Sequence, residues 1–170
     1  MSNIEFVPAK TEEIDKFYPF FEEAVKRYFS NEFMPKTIKH FFKKPFAKTV
    51  FKESFKKGGY IIFAKDGKKI VGFLIQLSKE EGGIICAEWL IVDKNYRGRD
   101  IGSTLLKLWE KECLKRGVHC IYLCTEKYNI KFYEKCGFTY MGCMPKGWFG
   151  VTDYYMYKTI QEPKEENYLK

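Results

Sequence analysis

Residues 92–106 of this chain read VDKNYRGRDIGSTLL, and the order of residue types there decides the fold class. An apolar run over 84–92, IICAEWLIV, ends at Val92. A turn carrying Arg97, Gly98, Arg99, Asp100, Ile101, Gly102 and Ser103 follows. From Gly102 onward leucines, Trp109 and Cys113 recur at helical spacing, with Lys107, Glu110, Lys111 and Lys115 between them, as far as Gly117. The pattern predicts a buried strand, a tight turn and an amphipathic helix over 102–116 with a glycine stop. Glycines in such a turn let backbone N–H groups point inward, and a helix N-terminus adds partial positive charge. With Arg97 and Arg99 beside them they form a cradle sized for a pyrophosphate. No GxxxxGK[ST] occurs, and no GxGxxG with an acidic residue ~20 positions on, so triphosphate and dinucleotide loops are set aside.

On either side the pattern alternates between strand and helix. Residues 3–8 read as a short strand, and Thr11 is placed to cap a helix reaching about Phe29, with Glu12, Glu13 and Asp15 in its first turn. Pro45 suits a helix start and Gly58-Gly59 a stop, so 36–57 holds one or two helices. Residues 60–64, 70–77 and 84–92 read as a meander turned at Asp66-Gly67 and Glu81-Gly82-Gly83. Then come a strand over 118–124, a short helix over 129–135 and strands over 138–144 and 151–159. The expected fold is α/β (α+β): one domain over 1–160, a mixed, mostly antiparallel central sheet of six to seven strands, and four to five flanking helices. The strand–helix–strand run over 84–124 requires one parallel pair. Residues 161–170 read as a polar, frayed tail.

Composition excludes several classes. At 170 residues with 45% hydrophobic content, the chain suits one folded domain. No apolar run approaches the ~20 residues of a membrane helix, and the first residues lack a signal-peptide pattern. A cytoplasmic protein with no membrane partner is expected. The six cysteines form no CxxC, and the two histidines, His40 and His119, have no partner at ligand spacing, so the thiols are expected reduced and metal absent. The net charge of +8 is local: residues 36–57 hold eight lysines against Glu53. Apolar residues at helical spacing leave those lysines on a solvated face, and with four arginines in all, nucleic-acid binding is disfavoured.

The loop Tyr96-Arg97-Gly98-Arg99-Asp100-Ile101-Gly102-Ser103-Thr104-Leu105-Leu106 resembles the signature of the GNAT superfamily of N-acyltransferases, Gln/Arg-x-x-Gly-x-Gly/Ala. Asp100 stands where the family usually has glycine. Its side chain must point away from a bound anion, with the helix cap as its place, and Asp tolerates a positive φ. A second match, Asn129-Ile130-Lys131-Phe132-Tyr133-Glu134-Lys135-Cys136-Gly137-Phe138, follows in the order the family has it. The resemblance covers roughly residues 60–160.

It implies a parallel pair that splays beside the strand ending at Val92, with acetyl-CoA in the opening. Backbone groups of Leu90, Ile91 and Val92 would hold its pantetheine arm, the loop from Arg97 to Ser103 its pyrophosphate, and Asn129 and Tyr133 the same substrate further along. Tyr133 is the implied proton donor to the departing sulfur. Glu88 is the candidate base on the residues themselves, because a carboxylate inside an apolar strand is costly unless partnered or functional. Tyr122 and Glu126 are further polar groups on the next strand. The expected activity is N-acetyl transfer to a primary amine of a small molecule or peptide, by a monomer or homodimer. A CoA-binding module without turnover is the rival reading. The implied acceptor wall comprises the first two helices and residues 146–150, and lysines facing it would disfavour polyamines.

Overall fold

Strand and helix periods along the chain build β1 (Ile4–Pro8), α1 (Ile14–Phe29), α2 (Pro35–Phe41), α3 (Lys48–Lys56), β2 (Tyr60–Asp66), β3 (Lys69–Gln76), β4 (Ile84–Ala87), β5 (Trp89–Val92), α4 (Ile101–Lys115), β6 (Cys120–Thr125), α5 (Ile130–Lys135), β7 (Thr139–Met144) and β8 (Asp153–Thr159). The computed structural model describes residues 3–169. Met1, Ser2 and Lys170, the ends of the expected domain and tail, lie outside the described residues. β1-β2-β3-β5 form one antiparallel sheet and β4-β6-β8-β7 a second. In the second, β4 runs parallel to β6 with Ile84 opposite Cys120, as the crossover through α4 requires.

The central strands part into two sheets at the splay expected beside the strand ending at Val92, because residues 84–92 do not run as one strand. Glu88 N–H donates to Ile75 O at 2.9 Å, yet that carbonyl lies opposite Trp89 in the β3–β5 register. One extra residue has entered the ladder, a β-bulge. Strict alternation along 84–92 would put Ile85, Ala87, Trp89 and Ile91 on one face, and the bulge breaks it. Ile85 and Ala87 pack in the α4-side cluster, whereas Trp89 and Ile91 join the α1-side cluster. An insertion of one residue exchanges every face beyond it.

The two clusters lie on opposite faces of the first sheet. Trp109, Leu105, Leu74 and Ile121 are among the first, and Phe17, Phe21, Phe41, Phe51, Phe63 and Phe73 among the second. Burying each such ring contributes roughly 1.5–3 kcal/mol. The lysine-rich segment behaves as an amphipathic cover: Ile38, Phe41 and Phe51 are buried, while Lys36, Lys39, Lys43 and Lys44 are exposed. Lys48 and Lys52 pair with Asp15 at 3.2 and 2.8 Å.

Two chain ends depart from expectation. Residues Thr11–Glu13 form a 3-10 turn ahead of α1, and Glu13 Oε2 accepts the Lys10 N–H at 2.9 Å, so Thr11 is not the cap. The tail folds back on the body over residues 161–168. Glu165–Asn167 make a turn that brings Tyr168 to 5.2 Å from the His119 ring, and Gln161 Nε2 donates to Val118 O at 2.7 Å. An aromatic ring with apolar cover to gain docks where a purely polar tail would not.

Candidate active site

The bulge at Glu88 opens the molecule. β5 follows β3 in one sheet and β4 follows β6 in the other, so β5 ends its sheet with one edge unpaired. Asp93 N–H donates to Val71 O at 2.8 Å, which sets the phase of the ladder. Bonded and non-bonded pairs alternate in an antiparallel ladder. Ile91 therefore bonds to Phe73, whereas the N–H and C=O groups of Leu90 and Val92 point away from β3 into the gap. A cleft of about 1010 Å³ occupies that gap, and Glu88, Leu90, Ile91 and Val92 line it.

One end of the cleft is the turn before α4. Gly98 has φ +75° and Asp100 has φ 57°, values glycine adopts freely and aspartate better than most residues. These two reversals bring Arg97, Gly98, Asp100, Ile101, Gly102 and Ser103 onto the cleft wall. Arg99 is not among the lining residues: its guanidinium lies 5.0 Å over the Tyr96 ring, and Nη2 donates to Asn95 O at 3.3 Å. Arg97 Nε donates to the outward-facing Val92 carbonyl at 3.1 Å, and its guanidinium rests 5.2 Å over Tyr28. Asp100 makes no side-chain cap, contrary to the role expected for it. Its carbonyl accepts Thr104 N–H, the first helical bond, and Ser103 Oγ, each at 2.9 Å. The first-turn N–H groups of α4 have no partner within the helix. Lys107, Lys135 and Lys158 continue the wall, with Lys158 paired to Glu110 of the same wall at 2.7 Å.

Across the cleft, α5 presents Tyr133, 7% exposed. Burial pushes its phenol up, with Glu126 adding to the rise and the Thr125 side chain opposing it. A phenol held up in this way stays protonated at neutral pH and is a donor. Asn129 precedes α5, and its Nδ2 donates to Glu126 Oε2 at 2.9 Å. Glu88 sits at the point where the strands part. Its Oε2 accepts Leu77 N–H at 2.7 Å and its Oε1 Ser78 N–H at 3.0 Å. Burial nevertheless raises its carboxyl above the ordinary range, against those bonds.

The other end of the cleft is aromatic and acidic. Trp148 stacks on Phe41 at 4.5 Å and lies 5.5 Å from Phe33. Phe29, Phe33, Phe46, Trp89 and Trp148 line this end together with Glu32, Glu126 and Asp153. Phe46 is the residue of the lysine-rich segment on the wall, so the condition that would disfavour polyamines is not met. Among the described residues no group of three candidate metal ligands occurs, and no helix is long and apolar enough to cross a membrane.

The sequence profile of the acetyltransferase (GNAT) family matches residues 18–138. The chain belongs to that family. None of the curated proteins matches it in sequence. Among solved structures it is similar to the PaiA N-acetyltransferase of Thermoplasma acidophilum in complex with coenzyme A, with TM-score 0.76, 20% identity, and coverage of 92% of this chain and 99% of that one. It is also similar to an N-acetyltransferase of Staphylococcus aureus Mu50 (TM-score 0.72, 17% identity, 94% and 100% coverage). A third is the ribosomal-protein-S18-alanine N-acetyltransferase of Escherichia coli (0.69, 18%, 96% and 97%). This GNAT enzyme is an acetyltransferase with acetyl-CoA as its donor.

The cleft suits that donor on its own geometry: outward-facing strand groups, an unsatisfied helix turn and a lysine-bearing wall along one continuous cavity. Sequence reading gave Tyr28, Phe132, Lys107, Lys135 and Lys158 no individual role at the donor end of the cleft. Helical spacing from Gly102 could have found Lys107, but nothing local signals that Tyr28 ends beneath Arg97.

Proposed function

We propose that this GNAT acetyltransferase acts on a primary amine of a small molecule or peptide, which attacks the acetyl thioester directly. What carries the reading is the bulge at Glu88. It turns Leu90 and Val92 into a gap that also holds the first turn of α4 and the Tyr133 phenol. Acetyl-CoA supplies an activated acetyl group and leaves as a thiol. In this reading Arg97, Gly98, Asp100, Ile101, Gly102 and Ser103 hold its pyrophosphate, and Asn129 lines the same channel. The Leu90 N–H polarises the carbonyl as negative charge develops there, and Tyr133 hydrogen-bonds and protonates the sulfur. A half-buried carboxylate takes the proton of the ammonium, and the cleft offers Glu88 and Glu126. Free thiols at all six cysteines suit a reducing compartment, and the cytoplasm is the compartment proposed.

The aromatic and acidic end suits a cation with an apolar body. The Escherichia coli relative is named for an alanine of a ribosomal protein, which keeps a peptide acceptor beside a small-molecule one. Purified protein incubated with acetyl-CoA and a panel of tryptamine, spermidine and an alanine-initiated peptide should release CoA thiol with at least one amine. Binding of acetyl-CoA without thiol release from any of them would instead favour a silent CoA-binding module.

A further inference from the structure

We infer that the carboxylate receiving the acceptor's proton is Glu126, at the end of β6, and that Glu88 pins the parted strand. This rests on the amine-acetylation reading above. Glu88 is committed through both oxygens. Oε2 and Oε1 each hold a backbone N–H of the segment after β3, Leu77 at 2.7 Å and Ser78 at 3.0 Å, while its own N–H holds Ile75 O at 2.9 Å. Three bonds from one residue tie the end of β3 to the bulge. Charge-assisted bonds of this kind weaken when the carboxylate takes a proton, so a Glu88 base would loosen the strand geometry at every turnover.

Glu126 is held differently. Its two side-chain hydrogen bonds fall on Oε2, from Asn129 Nδ2 at 2.9 Å and more weakly from Thr125 Oγ1 at 3.5 Å. Its own backbone N–H also leans on the carboxylate, and among the described residues no other residue bonds Oε1. One oxygen is thus oriented by neighbouring side chains while the other stays open to a further partner, the division a positioned proton acceptor needs. Glu126 follows directly on buried Thr125 and lines the same cleft as Tyr133. Burial raises its carboxyl above the ordinary range. Its own backbone N–H opposes the rise, as do Asn129 and Thr125, and Glu32, from beyond the end of α1, adds to it. Tyr128 and Tyr133 are the other titratable groups nearby, each with a phenol raised by burial and by Glu126.

The step balances as follows. The ammonium gives one proton to Glu126 Oε1, which releases it to solvent. The freed nitrogen pair forms the C–N bond at the acetyl carbonyl carbon, and the C–S bond breaks with its electrons going to sulfur. Tyr133 gives its hydroxyl proton to the sulfur and regains one from the nitrogen, so the products are amide, CoA thiol and one released proton.

The test compares Glu126→Gln, Glu126→Asp and Glu88→Gln, using the amine of the tryptamine, spermidine and alanine-peptide panel that turns over fastest. In Glu126→Gln, kcat/KM for the amine should fall by ~10²–10⁴ and its acidic limb should disappear. Glu126→Asp should restore part of both. Glu88→Gln should melt lower yet keep the acidic limb. As a readout apart from turnover, carbon-13 carboxyl titration of the wild-type protein should place the Glu126 midpoint above the ordinary glutamate range and move it when the amine is added. Glu126→Gln within about threefold of wild type with its limb intact overturns the assignment, and so does loss of the limb in Glu88→Gln. If Glu126→Gln does not fold, an ordinary Glu126 midpoint that ignores the amine overturns it. Wild-type protein that binds acetyl-CoA but acetylates none of the three amines sinks the amine-transfer reading itself, which separates the two failures.

Discussion

Gly102 and Phe132 are in contact across the cofactor end of the cleft. A Cβ on Gly102 would stand 3.1 Å from Cζ of Phe132 and 3.6 Å from Cε2. Phe132 is 36% exposed, so its ring has room to swing aside. Gly102→Val should therefore fold and melt within about 3 °C of wild type. Its branched side chain would nonetheless cover first-turn N–H groups of α4 and displace the ring beside them. Saturating acetyl-CoA at 100 times Kd stabilises a native protein by ~2.7 kcal/mol, and this variant should lose that shift. A retained shift would show that the turn is not where the anion binds.

Tyr133→Phe keeps the buried ring and removes the hydroxyl. Stability and the KM for acetyl-CoA should change little, while kcat falls by at least ~10–100-fold, because the lost bond forms mainly as the sulfur departs. Survival of kcat within about twofold would make Tyr133 a packing residue. Thermal melts belong beside the kinetics, since Tyr133 also contacts Phe138 at 5.8 Å.

Deep in the core, Trp109 Nε1 donates to Gln76 Oε1 at 3.1 Å, with both residues fully buried. Trp109→Phe leaves that oxygen unpaired, which costs ~1–3 kcal/mol, and adds a cavity. The melting temperature should drop by roughly 4–12 °C. An unchanged melt would mean the bond contributes nothing to stability.

The Glu126 carboxyl also predicts a pH dependence of stability. Below the ordinary glutamate value of ~4.3 it is protonated in both folded and unfolded chains. As pH rises the unfolded chain ionises first, because burial and Glu32 hold the folded carboxyl higher against its own backbone N–H, Asn129 and Thr125. Wild type should therefore lose stability relative to Glu126→Gln across that window and run parallel to it above the folded midpoint. Denaturant melts at a series of pH values measure this. A difference that grows in favour of wild type as pH rises contradicts a raised carboxyl.

What the sequence determined by itself is what depends on neighbours within a turn or two. The glycine-rich turn from Gly98 to Gly102, the apolar stripe of α4 ending before Gly117, and the run from Asn129 to Phe138 are local patterns, and local patterns set backbone geometry and helix faces. The tolerance of Asp100 for the positive φ it adopts is likewise a property of the residue itself. The break at Glu88 was not legible. Nothing in IICAEWLIV distinguishes a bulged strand from a straight one, and alternation alone misassigns the faces of Trp89 and Ile91. The bulge lies where one segment passes from pairing β6 at its start to pairing β3 at its end, partners that lie after and before it in the chain. Tyr28 beneath Arg97, Phe132 against Gly102 and Trp148 on Phe41 were likewise decided only by tertiary packing. Each joins segments far apart in the chain, and which faces meet depends on how two sheets part, a choice no single window of residues contains.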